Sequence, residues 1–141
     1  RPVFQTDFSA ERGNALQACV ATIFEQDLEA VPNFISILPP GTYLDAIDTW
    51  IAARGLAFLK VDLEPTGNEL GFPTGPALCV LAGPSPRGAF KHAVVGRVAA
   101  MGRGLASSFE TVHDPHPDGG GLAGPPVWAG FFVLREGPLP V

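Results

Sequence analysis

Residues 43–63, YLDAIDTWIAARGLAFLKVDL, contain the change of pattern that decides the fold. Before Gly55 the apolar side chains recur at helical spacing, and Thr42 stands where a helix would begin. The apolar stripe of this helix consists of Tyr43, Ala46, Ile47, Trp50 and Ile51. After Gly55 the chain continues as LAFLKVDL, a short segment rich in the Val, Phe and Leu typical of strands. The stretch therefore predicts a helix that Thr42 caps and Gly55 ends, followed directly by a strand.

Toward the N-terminus, the sequence predicts another helix over Asn14–Glu25, which Asn14 can cap through its side-chain oxygen. The apolar face of this helix consists of Leu16, Val20, Ile23 and Phe24. In the segment DLEAVPNF, residues 27–34, we expect a short helical turn that Pro32 ends. The Pro-Pro-Gly cluster at residues 39–41 then breaks the chain before the next helix.

Toward the C-terminus, four more segments have the composition of strands. They cover residues 76–82, 92–100, 106–114 and 128–136. Gly and Pro clusters separate them at the distances found in hairpins. Helices followed by an antiparallel sheet define an α+β fold, and we expect a single domain over residues 1–141.

Length, composition and charge bound the class of protein. A chain of 141 residues, of which 46% are hydrophobic, can bury the core of one domain without a disulfide or a metal. The formal net charge of -5 argues against nucleic acid or an anionic membrane surface as a partner and favours neutral or cationic partners. Apolar runs fall short of the roughly 20 residues of a membrane span, and the start shows no secretion signal. Because the chain starts with Arg1, we expect residues upstream of it.

The cysteines, Cys19 and Cys79, both lie within apolar runs. This is typical of buried, reduced thiols and not of a disulfide, so we expect a cytoplasmic protein. Cys19 is also a candidate nucleophile. Its position in the middle of a helix beside Val20 favours an inert core residue instead.

The helix start Gly13-Asn14-Ala15 is the first of three stretches suited to chemistry. A thiol in the first turn of a helix is stabilised as thiolate by unpaired N–H groups and the helix dipole. Its pKa can fall there from about 8.5 to roughly 3.5–7.5. Position 15 nevertheless holds a methyl group.

His92 and Asp114 supply the other two stretches. His92 opens a strand of small and β-branched residues, which is a rigid mount for an imidazole general base. Asp114 follows a strand and is fixed by Pro115, so its carboxylate can orient an imidazole. A hairpin that turns at residues 102–104 would bring the two side chains within hydrogen-bond reach.

The order of these three stretches, with HAVV around His92 and HDP around Asp114, resembles the C39-like group of papain-like cysteine peptidases, the bacteriocin-leader-processing type. The resemblance extends from Gln5 to about Leu122 and implies a papain-like fold. It implies a general base at His92, its orienting partner at Asp114 and an oxyanion donor at Gln5. The nucleophile position of the family falls on Ala15, and Cys19 matches a second cysteine inside the helix. Two departures are that Asn-Ala-Leu replaces Asp-Cys-Gly and that the Gln lies further from the nucleophile position.

The resemblance implies Cys-His-Asp acyl transfer to water, as in a peptidase, isopeptidase or amidase, with no cofactor and no metal. With an amine as acceptor, the same groups would give a transglutaminase-like acyltransferase. The expected partner is a peptide or protein, such as a C-terminal tail or a Gly-containing segment, which Asn14 and Arg87 would contact. Ala15 leaves two explanations, an engineered inactive form whose native residue is Cys, which we favour, or a natural pseudoenzyme that binds peptides.

Simpler interpretations of these residues stay open at this point. His113, Asp114 and His116 could bind a metal, although two His at this spacing with no Cys form a weak pattern, and we expect no stoichiometric zinc. The segments at residues 83–88, which contain Arg87, and at residues 117–122 can be surface turns.

Overall fold

The computed structural model describes residues 1–9, 12–36, 39, 41–63, 78–98 and 109–135. These residues form two α-helices, two short 3-10 turns and five strands, which confirms the α+β prediction. The helices are α1, Ala15–Ile23, and α2, Tyr43–Ala52, with 3-10 turns at Leu28–Ala30 and Phe34–Ser36. The strands are β1, Leu56–Asp62; β2, Leu78–Pro84; β3, Lys91–Val98; β4, Phe109–His113; and β5, Trp128–Leu134.

Both helices begin where the sequence predicts, but neither cap prediction is correct. Asn14 and Thr42 precede α1 and α2, and neither side chain bonds to the helix that follows it as a cap. The Thr42 hydroxyl instead donates to the Pro39 carbonyl oxygen at 2.7 Å. Gly55 does follow α2, with a φ of 72° that suits glycine at a helix end.

The strands form one antiparallel sheet in the order β1-β5-β2-β3-β4. The last of the described strands, β5, therefore lies between β1 and β2. Neighbouring β3 and β4 pair as the expected hairpin, although its turn at residues 102–104 lies outside the described residues. A register shift at Val95/Gly96 marks a bulge, which increases the local bend just before β4 runs on to Asp114.

The main core lies between the helices and one face of the sheet. α1 packs on β2 and β3, while α2 packs on β1. Fully buried side chains on the two sides of this layer are Cys19, Val20, Ile47, Ile51, Val80 and Val95. Because α1 lies over β3, its first turn comes close to the beginning of that strand, where His92 is located.

A second buried cluster, which includes Cys79 and Leu81, covers the opposite face of the sheet. Both cysteines are buried and free of disulfides, as predicted. Within the described part of the chain, neither helix has the length and apolar character needed to cross a bilayer.

Candidate active site

A pocket of about 240 Å³ opens beside the start of α1 and the start of β3. Its walls include Gln5 from the N-terminal segment, Ala15 and Leu16 from α1, and His92 from β3. Three of the predicted catalytic positions therefore line one cavity. Asp114, the fourth, lies behind His92.

His92 and Asp114 form a buried hydrogen-bonded pair. The distance from Nε2 to Oδ1 is 2.7 Å, and the two side chains are only 4% and 5% exposed. The predicted contact is therefore confirmed. Such burial protects the pair from competing water and fixes the orientation of the imidazole ring.

Asp114 also holds the loop that follows it. Its Oδ1 accepts the N–H of His116 at 2.9 Å, and its Oδ2 accepts the N–H of Gly121 at 2.6 Å. Burial raises the pKa of Asp114, but the bonds from His92 and from these two N–H groups outweigh it, so its pKa lies below the ordinary value. The carboxylate is therefore ionised at neutral pH.

Gly121 has a φ of 67°, a left-handed conformation that residues with a Cβ adopt at a cost. Gly119 has the same φ, which explains glycine at positions 119 and 121 of a segment that the sequence analysis interpreted only as a turn. They let the chain double back so that a backbone N–H reaches Asp114.

His92 is held as a neutral base. Burial lowers its pKa, the hydrogen bond and charge of Asp114 raise it, and nearby Arg87 and His116 lower it, with a net shift downward. A neutral ring beside an ionised carboxylate carries its proton on Nε2 and leaves Nδ1 as an acceptor. Nδ1 bonds to none of the described residues. It is not enclosed either, because Gln5 Oε1 is the only enclosed side-chain N or O atom among those residues that lacks a partner. Nδ1 therefore contacts the open volume of the pocket.

Ala15 is the first residue of α1 and is 8% exposed. No described side chain caps this helix, so the N–H groups of its first turn lack a side-chain acceptor at the pocket. The site thus has a base and a positive helix end, but a methyl group where a nucleophile would stand.

The two cysteines do not supply a nucleophile to this pocket. Neither thiol is among its lining residues, and both are fully buried. Burial raises the pKa of Cys79 to about 12 and that of Cys19 well above its ordinary value. Both are therefore protonated core residues.

Gln5 joins the N-terminal segment to the loop after β4. Its backbone N–H donates to the Pro115 carbonyl at 3.0 Å, and its side-chain Nε2 donates to the Asp7 carbonyl at 3.0 Å. The residue is 6% exposed and lines the pocket. Among the described residues, neither the second N–H of the amide nor the enclosed Oε1 has a partner.

Asn14 is not placed to contact a substrate, contrary to our expectation. It is 4% exposed and is not one of the pocket residues. Its Oδ1 accepts the N–H groups of Thr6 and Asp7, both at 2.8 Å. Its Nδ2 donates to Thr6 Oγ1 at 3.0 Å and to Gln17 Oε1 at 3.2 Å. The side chain therefore holds the Gln5 segment against α1.

Arg87 lines the pocket, as expected of a substrate contact. Its Nη1 lies 3.1 Å from both carboxylate oxygens of Asp118.

Some lining residues were missed by the sequence analysis or assigned to another role. Lys91 adjoins His92 in the chain, and the ring centroids of His116 and His92 lie 6.4 Å apart. Phe8 packs edge-on to His116 at 4.8 Å. Adjacency to His92 could have indicated Lys91, whereas an aromatic residue such as Phe8 gives no local signal that separates pocket from core.

The two histidines of the HDPH segment, residues 113–116, which the sequence analysis considered as metal ligands, each bond to another group of the protein. His113 Nε2 donates to the Val3 carbonyl at 2.7 Å, and His116 Nδ1 accepts the Asp118 N–H at 3.1 Å. Within the described ranges, no group of three or more His, Cys, Asp or Glu residues is arranged to hold a metal ion.

Comparison of the chain with protein-family models, with curated proteins and with solved structures finds no match. The functional argument therefore depends on the geometry of the pocket. An oriented imidazole base, an uncapped helix start and a free amide N–H can together activate a nucleophile at position 15 and bind an oxyanion.

Proposed function

We propose that this pocket is the active site of a papain-like, C39-like cysteine peptidase, isopeptidase or amidase whose native nucleophile is a cysteine at position 15. One observation carries the proposal. The buried His92–Asp114 pair opens onto the same cavity as the first residue of α1. The substrate is a peptide or protein amide, and with Ala15 the chain binds it without cleaving it.

With a cysteine at position 15, the thiol gives its proton to His92 Nδ1, and the thiolate attacks the amide carbonyl carbon. The first-turn N–H groups of α1 and the free N–H of Gln5 stabilise the oxyanion. The imidazolium, which Asp114 stabilises, then protonates the leaving amine as the C–N bond breaks. Water, deprotonated by His92, attacks the thioester and releases the acid and the thiol. An amine in place of water would give the acyltransferase outcome.

A second candidate is a peptide-binding module, and Ala15 itself favours it. The chain as it stands retains the base, the orienting carboxylate and the cavity, and its position 15 offers no atom for covalent chemistry. In this case the function of the pocket is to bind a peptide segment.

The test is acylation of the Ala15→Cys variant by p-nitrophenyl acetate. We expect a burst of about one nitrophenolate per chain and an acetyl group on residue 15, detected by peptide mass spectrometry. Ala123→Cys, an exposed loop position outside the pocket lining, is the matched control. Acylation of residue 15 no faster than residue 123 would contradict the enzyme proposal and leave the binding module.

A further inference from the structure

We infer that the pocket recognises a carboxylate on its peptide, with Lys91 and Arg87 as the binding cations. This inference deepens the proposed function and rests on it, because it names the class of peptide that the same site takes. The carboxylate can come from the C-terminus of the peptide or from a Glu or Asp side chain.

The charge of the pocket is opposite to that of the protein. The whole chain has 14 acidic residues against nine basic residues. Among the described residues that line the pocket, however, the charged side chains are Arg87 and Lys91, and no Asp or Glu is present. The net charge favours neutral or cationic partners at long range, but salt screens it beyond about 8 Å, so the lining determines what binds inside.

Lys91 is the cation available to a ligand. It begins β3 directly before His92, is exposed, and has no acidic partner within the described chain. The other described lysine, Lys60, has Asp62 at 3.1 Å. A bound carboxylate would therefore pair with a charge that none of the described acidic residues neutralises.

Arg87 is oriented before any ligand arrives. Asp118 holds Nη1, Gly120 donates to Asp118 Oδ1 at 2.8 Å, and the Arg87 side chain is 24% exposed. The other N–H groups of the guanidinium bind none of the described residues, so they are free to form charge-assisted hydrogen bonds. Asp118 neutralises part of the Arg87 charge, and we therefore assign the larger share of carboxylate binding to Lys91.

Other groups of the pocket fit the same ligand. His116 accepts the Asp118 N–H on Nδ1, so Nε2 is the ring nitrogen that can donate to a ligand. Phe8, Phe90 and Trp128 supply apolar wall for the aliphatic part of a peptide. At about 240 Å³, the cavity is smaller than the ~300–1,000 Å³ of typical ligand pockets, so the carboxylate must lie close to the scissile amide.

The experiment measures binding to the chain with Ala15 by isothermal titration calorimetry. The probes are acetyl-Ala-Phe-Ala with a free carboxylate, the same peptide amidated, and the amides of acetyl-Glu-Phe-Ala and acetyl-Gln-Phe-Ala. We expect a carboxylate to tighten binding by about tenfold or more over the matching neutral peptide. The first pair of peptides reports a C-terminal carboxylate, and the second pair reports a side-chain carboxylate.

Variants identify the cation. Lys91→Gln should remove most of the preference and Lys91→Arg should retain it, while Arg97→Gln, an exposed cation of the same strand that pairs with Glu110 outside the pocket lining, should leave it unchanged. Equal Kd values within both peptide pairs, no binding of any probe at millimolar concentration, or an equal loss in Arg97→Gln would overturn the inference. Acylation of Ala15→Cys by uncharged p-nitrophenyl acetate is scored separately. If residue 15 acylates and no carboxylate preference exists, only the peptide class is wrong, whereas absent acylation contradicts the enzyme proposal itself.

Discussion

Asn14 and Thr6 exchange two hydrogen bonds across the start of helix α1. The Thr6 N–H donates to Asn14 Oδ1 at 2.8 Å, and Asn14 Nδ2 donates to Thr6 Oγ1 at 3.0 Å. This exchange fixes the segment that carries Gln5 beside the residue that begins α1. The position of the candidate oxyanion donor therefore depends on a side chain that touches no substrate.

Asn14→Ala should lower the free energy of unfolding by about 1–3 kcal/mol, because the N–H groups of Thr6 and Asp7 lose their acceptor. Chemical denaturation measured by circular dichroism checks the value. The control is Asn33→Ala, whose Nδ2 donates to the Arg12 carbonyl in an exposed contact and whose Oδ1 accepts a single N–H, that of Ile35, at 3.2 Å, so its loss should be smaller. Equal losses in the two variants would show that Asn14 has no special structural role.

Ala15→Cys should create a thiol that iodoacetamide alkylates faster than Cys19 or Cys79 at neutral or mildly acidic pH. Residue 15 gains from the helix start and from His92, whereas burial raises the pKa of both native thiols. Labelling against pH, followed by peptide mass spectrometry, gives the rate at each cysteine in one sample.

Two double variants test the partners of that thiol. Adding His92→Ala to Ala15→Cys should slow alkylation of residue 15, because the imidazole that takes the thiol proton, and as a cation then stabilises the thiolate, is gone. Adding Asp114→Asn should leave alkylation measurable but slower, because the imidazole loses its orienting charge. If residue 15 reacts at the rate of a model thiol whether or not His92 is present, no Cys-His pair forms at this site.

The stability of the chain should fall as pH decreases from 7 to 5, with His92 as a main cause. The folded-state pKa of His92 lies below its ordinary value of 6.5, so between the two values the unfolded chain binds a proton that the folded chain does not. The contribution of His92 to stability is therefore present above the pKa of the unfolded chain and is lost as pH falls from that value toward the lower pKa of the folded chain. The lowered pKa of Asp114 acts in the same direction at more acidic pH, below its ordinary 3.8.

Thermal unfolding midpoints at intervals of pH check this behaviour. In His92→Gln the decrease between pH 7 and 5 should be smaller than in the parent, since the titrating group is removed. An unchanged slope would mean that other groups produce the acid sensitivity.

Local pattern predicted those parts of the fold that depend on neighbours in sequence. Among the described residues, both helices follow from apolar spacing, the five strands follow from composition and the Gly/Pro clusters between them, and the His92–Asp114 bond follows from one hairpin. The insertion of β5 between β1 and β2 depends on long-range pairing, which no local spacing records. The role of Asn14 was likewise missed, since its partners Thr6 and Asp7 lie upstream and become neighbours only in the folded chain.

Gly121→Ala should impair the site beyond its effect on stability. Gly121 and Gly55 both have left-handed φ values, 67° and 72°, and an added Cβ would meet no atom within 4 Å at either position. Each alanine should therefore cost about 1–2 kcal/mol of stability from backbone strain alone. Of these two glycines, however, only Gly121 donates its N–H to the Asp114 carboxylate.

In the Ala15→Cys background, the two glycine variants should separate by reactivity. Gly121→Ala should slow alkylation of residue 15 near neutral pH, because a loosened Asp114 orients His92 less well, while Gly55→Ala should keep the parent rate. Iodoacetamide labelling of both variants, with stabilities matched by denaturation measurements, makes the comparison. Equal alkylation rates would show that the Gly121 hydrogen bond stabilises only the loop, and that His92 and Asp114 hold each other in place without it.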